Sequence, residues 1–297
     1  YFKPDFDYHL LLSHNMISHL GVYRTETVRN VGGFRIGLEG SQDYDLLLRV
    51  YDEINPDKIH HIPFPLYHWR ISSQSAAEDV NIKPYAIEAG KQALKDHLNR
   101  QSIHAHVKFL PELASYQVNY DLPATKPGVT ILIRDQEFTE SLKHCVDSLI
   151  ENTEYPNYSI VLCLPQSANN LAIPPSIQWG QKVKIEFIDE NIFNAYAGTL
   201  NEAVSRFSDD YVLFLNKSTY VASHGWLSNL VSQANQDEIG AVGPKLMYSN
   251  NIIYSVGVIL LSNGEIQHMF NSRENTDDGY FGWAKITRGY STLSEKC

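Results

Sequence analysis

The chain has 297 residues, of which 43% are hydrophobic and 20% charged, and its formal net charge is −10. This length is enough for two domains, and the negative charge without a basic run argues against a nucleic acid as the main partner. No apolar stretch approaches the roughly 18 residues that span a bilayer. The scattered Cys145, Cys163 and Cys297 lack CxxC spacing, which favours free thiols in a reducing compartment.

The first clear element is an amphipathic helix that ends near residue 54. Ser41 is a good N-cap residue, and Asp43 and Asp45 fall in the first turn after it. Apolar residues then recur at helical spacing as far as Ile54, which predicts one buried face. Asp45 lies two residues after Asp43 and faces away from it on a helix, so a structural role is predicted for Asp45.

Less regular segments follow this helix. Residues 58–67 (KIHHIPFPLY) are interrupted by prolines, which is typical of an extended edge segment. They lead into Tyr67-His68-Trp69-Arg70, a cationic and aromatic cluster. Residues 82–98 show a helical pattern again, and a proline-bearing connector at 106–127 predicts a domain boundary.

From residue 128 the pattern alternates between strands and helices. The predicted strands are 129–133, 158–164, 183–188 and 211–215, and the predicted helices are 139–151 and 195–207. The first strand is continuously apolar, as expected for a buried parallel strand. This alternation predicts a doubly wound sheet with its ligand site at the carboxyl ends of the strands. Arg134 and Asp135 follow the first strand, and Asn216-Lys217-Ser218 follows the fourth.

In this order the features resemble tandem bacterial family 2 glycosyltransferases, which build O-antigen and other surface polysaccharides. The stretches that carry the resemblance are 39–46 (EGSQDYDL), 67–70 (YHWR), 149–158 (LIENTEYPNY), 214–216 (FLN) and 240–246 (GAVGPKL). The resemblance implies an α/β fold of the GT-A type, with a Rossmann-like mixed sheet and flanking helices. It implies that 1–105 is the acceptor-side half of a first domain, 106–127 a linker and 128–297 the nucleotide-side half of a second. Both domains would then be incomplete.

The resemblance also implies roles for residues in the first half. Inverting sugar transfer needs a base for the acceptor hydroxyl and hydrogen-bond donors or positive charge for the departing diphosphate. Gln42-Asp43 matches the family's acidic motif, which makes Asp43 the expected base, with helix capping as the alternative. His68 and Arg70 match positions near the diphosphate, and arginine binds phosphate oxygens in bidentate fashion. His68 could instead hold a divalent cation, Trp69 is expected to pack, and an edge strand facing solvent is the alternative for the cluster.

The second half departs from the family pattern at its metal and nucleotide positions. Leu164 stands where the family has an aspartate for the nucleotide base, and Asn216-Lys217-Ser218 replaces a motif that holds Mg or Mn through carboxylates. An amide and a hydroxyl serve a hard cation poorly, so no metal is expected here. Lys217 could partly replace its charge, with a side chain that points to solvent as the alternative. Arg134, Asp135, Asn201 and Asn216 remain the expected donor-site residues, with helix capping as the alternative for Asp135.

Three interpretations remain open. In the first, the parent protein is a hexosyl- or rhamnosyltransferase that moves a sugar from a nucleotide-sugar to a saccharide or lipid-linked saccharide. It would use Asp43 and Mg or Mn in its first domain, in the cytoplasm or peripherally at the inner face of the plasma membrane. In the second, the 128–297 domain is a degenerate, non-catalytic module that binds glycan or partner proteins. In the third, the two halves share one site, with Asp43 facing Asn216.

Overall fold

The structure, a computed structural model, describes residues 2–68, 84–170 and 179–297. Its contacts divide the chain into two compact units. The first unit comprises Tyr1–Asp121, Leu246–Val256 and Met269–Ser291, and the second comprises Leu122–Lys245, Gly257–His268 and Thr292–Cys297. Each unit therefore draws on separate stretches of sequence, a division that differs from the expected boundaries near 105 and 128. The assignment of the two parts to halves of two domains stays a prediction.

The described parts of the chain begin with four helices, continue with strands and helices intermixed, and end with short strands. The helices are α1 (Tyr8–Ser13), α2 (Thr25–Asn30), α3 (Gln42–Glu53), α4 (Pro84–Arg100), α5 (Glu140–Asn152), α6 (Glu190–Phe193), α7 (Tyr196–Val204) and α8 (Trp226–Ala234). The strands are β1 (Ala105–Leu110), β2 (Ser115–Tyr120), β3 (Val129–Arg134), β4 (Tyr158–Pro165), β5 (Val183–Ile188), β6 (Tyr211–Leu215), β7 (Leu246–Met247), β8 (Ile253–Ser255), β9 (Val258–Leu260) and β10 (Ile266–His268). Within the described ranges, none of these helices has the length and hydropathy that a membrane span requires.

The first unit is a helical layer packed on a β-hairpin. The buried faces of α1, α3 and α4 meet around Leu11, Leu48 and Leu94, all 0% exposed, and cover the hairpin of β1 and β2. Helix α3 begins where the sequence predicts, directly after Ser41. The hydroxyl of Ser41 does not cap the helix, however, because it donates to the carbonyl of Ala86 at 2.8 Å.

The hairpin corrects the prediction that 106–127 is a linker. Strands β1 and β2 pair antiparallel in one continuous register and belong to the first unit. Tyr116, Val118 and Tyr120 all point to the buried side, which is the period of two expected of a strand with one covered face. The division between the units falls after this hairpin, between Asp121 and Leu122. Residues 59–67, predicted to be an extended edge segment, are described but pair with no strand.

The second unit is built on a four-stranded parallel sheet in the order β5-β4-β3-β6. Helices α5 and α8 pack on one face, around Ile131, and α6 and α7 cover the other face, around Leu132. Helices on both faces of a parallel sheet confirm the predicted α/β, doubly wound class. The four predicted strands agree with β3 to β6 within one residue at each end. The helix predicted at 195–207 is α7 (Tyr196–Val204), and the separate short helix α6 precedes it.

The three cysteines are free, and burial controls their chemistry. Cys145 and Cys163 are 0% exposed, whereas Cys297 is half-buried. Burial raises the pKa of Cys145 and of Cys297 to about 12 and that of Cys163 to about 11. The thiols therefore stay protonated at neutral pH and act as packing groups.

A buried ion-pair network ties α3 to the loop that precedes it. Asp45 is 0% exposed and accepts hydrogen bonds from Nε of Arg35 at 3.0 Å and from Nη2 of Arg49 at 2.7 Å. Arg49 also donates to the carbonyl oxygens of Val31 and Gly33 in the loop. Burial raises the pKa of Asp45, but the hydrogen bonds from both arginines outweigh it and leave the pKa below its ordinary value. The structural role predicted for Asp45 is confirmed.

We expect Asp45→Asn to lower the free energy of unfolding by about 3–5 kcal/mol, because Arg49 would stay buried without its counter-charge. Glu53→Gln, at the exposed end of the same helix, serves as the control and should change it by less than about 0.5 kcal/mol. Urea titration of the 297-residue chain measures both variants. Equal losses of unfolding free energy in Asp45→Asn and Glu53→Gln would contradict the stabilising role of the network.

The same variant has an expected pH dependence. Because folding lowers the pKa of Asp45, its stabilising contribution is present above the pKa of the unfolded carboxyl, about 3.9. The contribution is lost as the pH falls through the lower folded value. The stability difference between the wild-type chain and Asp45→Asn should therefore shrink below about pH 4, and a difference independent of pH would argue against this origin.

Candidate functional site

The first candidate site surrounds Asp43 in the first turn of α3. Its side chain is half-buried, and its Oδ2 accepts a hydrogen bond from Nδ2 of Asn15 at 3.0 Å. Asn15 lies in the loop between α1 and α2, and its Oδ1 accepts from the backbone N–H of Ser18 at 3.0 Å. The amide of Asn15 thus holds one carboxylate oxygen of Asp43, and the backbone of Ser18 holds that amide in turn.

The charge of Asp43 also acts on Tyr23, in the same loop as Asn15. Burial raises the pKa of Tyr23, and the charge of Asp43 raises it further. The phenol therefore keeps its proton at neutral pH and remains a hydrogen-bond donor. Sequence reasoning missed both Tyr23 and Asn15, because their loop matches no motif and reaches Asp43 only through tertiary packing.

The loop between α1 and α2 also contacts Tyr67, the residue before His68. The rings of His19 and Tyr67 lie 5.6 Å apart, which brings the end of the 59–68 segment to the loop that carries Asn15. His68 follows Tyr67 in sequence and is exposed. Arg70 and Trp69 lie outside the described residues, so the predicted contact of His68 and Arg70 with a diphosphate stays a prediction.

The second candidate site is at the carboxyl ends of β3 and β6, which are neighbours in the sheet. Ile133 pairs with Leu215, so the residues that follow each strand reach the same edge. There Nζ of Lys217 lies 2.5 Å from Oδ1 of Asp135, which is 4% exposed. The side chain of Lys217 therefore points back to the sheet, where its ammonium neutralises a buried carboxylate.

Both carboxylate oxygens of Asp135 accept hydrogen bonds from donors of its own unit. Its Oδ1 also accepts from the backbone N–H of Gln136 at 2.7 Å, and its Oδ2 accepts from the hydroxyl of Thr139 at 3.0 Å. The N-cap of α5 is Thr139, whose hydroxyl accepts from the N–H of Leu142. Asp135 supports the capping residue and does not cap the helix itself.

The residues that replace the metal motif do not fit a divalent cation. Oδ1 of Asn216 accepts from the N–H of Ser218 at 3.0 Å and from its hydroxyl at 2.6 Å. The two side chains are therefore hydrogen-bonded to each other. Mg and Mn prefer carboxylate oxygens in an open octahedral arrangement. Across the described residues, no group of three or more His, Cys, Asp or Glu side chains could hold a metal. At the predicted nucleotide-base position, Leu164 is buried inside β4.

Arg134 braces the helices that cover the sheet. Its Nη2 donates to the carbonyl of Phe193 at 2.7 Å, and its guanidinium carbon lies 4.0 Å from the ring centroid of Phe193 and 5.4 Å from that of Tyr196. Such a cation–π contact holds the side chain in place. Asn201, on the adjoining α7, is exposed. The structure thus brings Asp135 and Lys217 into contact, while the predicted donor contacts of Arg134 and Asn201 stay predictions.

No family model matches the chain. The chain is similar over its whole length to an uncharacterized protein, y4gI, of Sinorhizobium fredii (strain NBRC 101917 / NGR234), with 34% identity over 306 residues. It is similar over its whole length to the O-antigen biosynthesis protein RfbC of Myxococcus xanthus, with 34% identity over 298 residues. It spans 33% of the first relative and 23% of the second.

The fold has low similarity to a solved structure. This is the mannosyltransferase PcManGT from Pyrobaculum calidifontis in complex with GDP-Man and Mn²⁺, at 16% sequence identity and a TM-score of 0.37. The match covers 49% of this chain and 45% of that one. A likeness of this size carries no argument about the site, which has to be argued from the residues themselves.

We expect Lys217→Met to lower the free energy of unfolding by about 1–3 kcal/mol, because Asp135 would remain buried without its ammonium partner. The matched control is Lys143→Met. It removes an ammonium that also lies 2.5 Å from a carboxylate, that of Asp147, but both side chains there are about one-third exposed. Lys143→Met should lower the free energy of unfolding by less than about 0.5 kcal/mol. Urea titration measures both, and a loss confined to the control would overturn the role given to Lys217.

Proposed function

We propose that the chain is part of a GT-A-type glycosyltransferase that acts in surface polysaccharide synthesis. The donor is a nucleotide-sugar, and the acceptor is a saccharide or a lipid-linked saccharide. The observation that carries the proposal is the state of Asp43, a half-buried carboxylate at a helix start that is anchored through one oxygen. None of the described residues donates to its other oxygen. Similarity to RfbC along the entire chain supports the assignment to polysaccharide synthesis.

The reaction assigned to this site inverts the configuration of the sugar. Asp43 takes the proton of the acceptor hydroxyl while the acceptor oxygen attacks the anomeric carbon. The bond from that carbon to the diphosphate breaks, and the nucleoside diphosphate leaves with the bonding electron pair. Tyr23 keeps its proton, because burial and the charge of Asp43 both raise its pKa. His68 and Arg70 are the residues assigned to the diphosphate. Since the described residues of this unit form no metal-binding group, no step is derived through Mg or Mn.

Asp43→Asn in the full-length protein that contains this chain should reduce sugar transfer by about 10²–10⁴-fold, because the acceptor hydroxyl loses its base. Donor binding should be retained, since the change leaves shape and volume nearly the same. Incorporation of labelled sugar into acceptor measures the rate, and Glu53→Gln on the same helix is the control with unchanged rate. Turnover retained by Asp43→Asn would defeat the assignment.

A second function is favoured for the second unit by the contact between Lys217 and Asp135. That unit would be a non-catalytic module that binds glycan or a partner protein. Its carboxylate at the strand ends is neutralised by an ammonium, and its metal motif is closed by the hydrogen bonds of Asn216 with Ser218. The buried Leu164 offers no polar group to a nucleotide base. A donor site needs groups that bind a metal ion and a nucleotide base, and these three features leave such groups engaged within the protein or missing.

Calorimetry of the 297-residue chain with UDP- and dTDP-sugars, in the presence of Mn or of a chelator, tests this second function. We expect the heat of binding to be the same with and without Mn, because Lys217 already neutralises Asp135. The complete absence of binding would support the module. Mn-dependent binding that Asp135→Asn abolishes would show instead that the second unit holds a donor through metal.

A further inference from the structure

We propose that Asn15 is a positioning residue for Asp43, which holds one carboxylate oxygen so that the other faces the acceptor hydroxyl. This inference rests on the proposed function, because the orientation of Asp43 matters to a rate only if Asp43 acts as the base. Asn15 belongs to no motif of the sequence, and its assignment depends on the contacts it makes in the first unit.

The side-chain amide of Asn15 has a defined orientation toward Asp43. Its Oδ1 accepts from the N–H of Ser18, and this bond determines that Nδ2 and not Oδ1 faces Asp43. An N–H donor aimed at a carboxylate forms a charge-assisted hydrogen bond, which is stronger and more directional than a neutral one. At 3.0 Å between Nδ2 and Oδ2, this bond restrains the rotation of the carboxylate.

The residues that follow Asn15 anchor its loop to the first unit. The next residue, Met16, is 3% exposed and belongs to the core of the first unit. The ammonium of Lys3 donates to the carbonyl of Ile17. Anchors within two residues of Asn15 hold its backbone, so its side chain can transmit that rigidity to Asp43. Residues that orient a reacting group generally need such support of their own.

The two carboxylate oxygens of Asp43 differ in their hydrogen bonds. Asn15 uses Oδ2, whereas Oδ1 accepts no hydrogen bond from any described residue. A base bound in this way keeps one oxygen free to accept a proton from a substrate hydroxyl.

A purely structural role would give a different result. Gln92 makes a comparable amide-to-carboxylate hydrogen bond with Asp96 at 2.6 Å on the exposed surface of α4. Gln92→Ala therefore serves as the matched control, because it removes the same kind of bond from the same unit without touching Asp43. A residue that merely stabilises the fold should behave as Gln92 does.

The test uses the full-length protein, with labelled UDP-glucose, dTDP-glucose and GDP-mannose as donors and a membrane fraction from the source organism as acceptor. Asn15→Ala should lower kcat by roughly 10- to 100-fold, a part of what general-base catalysis supplies. The donor KM and the thermal midpoint should stay near the wild-type values. Asn15→Gln, which keeps the amide on a longer arm, should recover part of the rate, and Gln92→Ala should match the wild type.

Asn15→Asp decides the outcome if Asn15→Ala does not fold. It is nearly isosteric, but it replaces the donor with a charge that repels Asp43, so its kcat should fall at least as far. Wild-type kcat in Asn15→Ala or Asn15→Asp, alongside an inactive Asp43→Asn, would overturn the positioning role and leave Asp43 as the base. Turnover by Asp43→Asn would instead overturn the proposed function itself, so the two failures are distinguishable.

Discussion

The architecture of the first site depends on the burial of Asp45 between two arginines. Arg35 and Arg49 hold this carboxylate and, through the carbonyl oxygens of Val31 and Gly33, the loop before α3. Successive helical residues are rotated by about 100°, so a residue two positions away points to the opposite side. Once Asp45 faces inward, Asp43 must face the loop between α1 and α2. The inward carboxylate orients the helix, and the outward carboxylate becomes available for chemistry.

The second unit uses the same type of interaction with the opposite consequence. Lys217 neutralises Asp135 at the carboxyl ends of two neighbouring strands, the place where ligands of doubly wound sheets bind. A metal ion at such a place would keep coordination positions for a substrate, whereas an ammonium fills its hydrogen bonds within the protein. The ion pair therefore stabilises the loop after β6 and reduces what the edge of the sheet can bind.

The parts of the fold predicted correctly are those determined by local pattern. The strands from Val129 to Leu215 are short apolar runs between turns, and their burial follows directly from composition. The hairpin of β1 and β2 was missed because Pro123 and Pro127 outweighed the inward alternation of Tyr116, Val118 and Tyr120. The addition of 246–256 and 269–291 to the first unit depends on contacts between residues far apart in sequence. The same holds for Asn15 and Tyr23, which only tertiary packing brings to Asp43.

Two aspartates with similar sequence surroundings can differ completely in their capacity to take a proton. Asp43 lies in the first turn of α3, and Asp135 lies shortly before α5, where it accepts from the N-cap residue Thr139. Both oxygens of Asp135 are occupied, Oδ1 by Gln136 and Lys217 and Oδ2 by Thr139. A substrate hydroxyl would have to reach this carboxylate in a site where it is 4% exposed and three donors already contact it. Asp43 has an oxygen that no described residue engages, so it can accept a proton without the loss of any contact. The count of hydrogen-bond donors around each carboxylate therefore separates a candidate base from a structural residue where the motif alone does not.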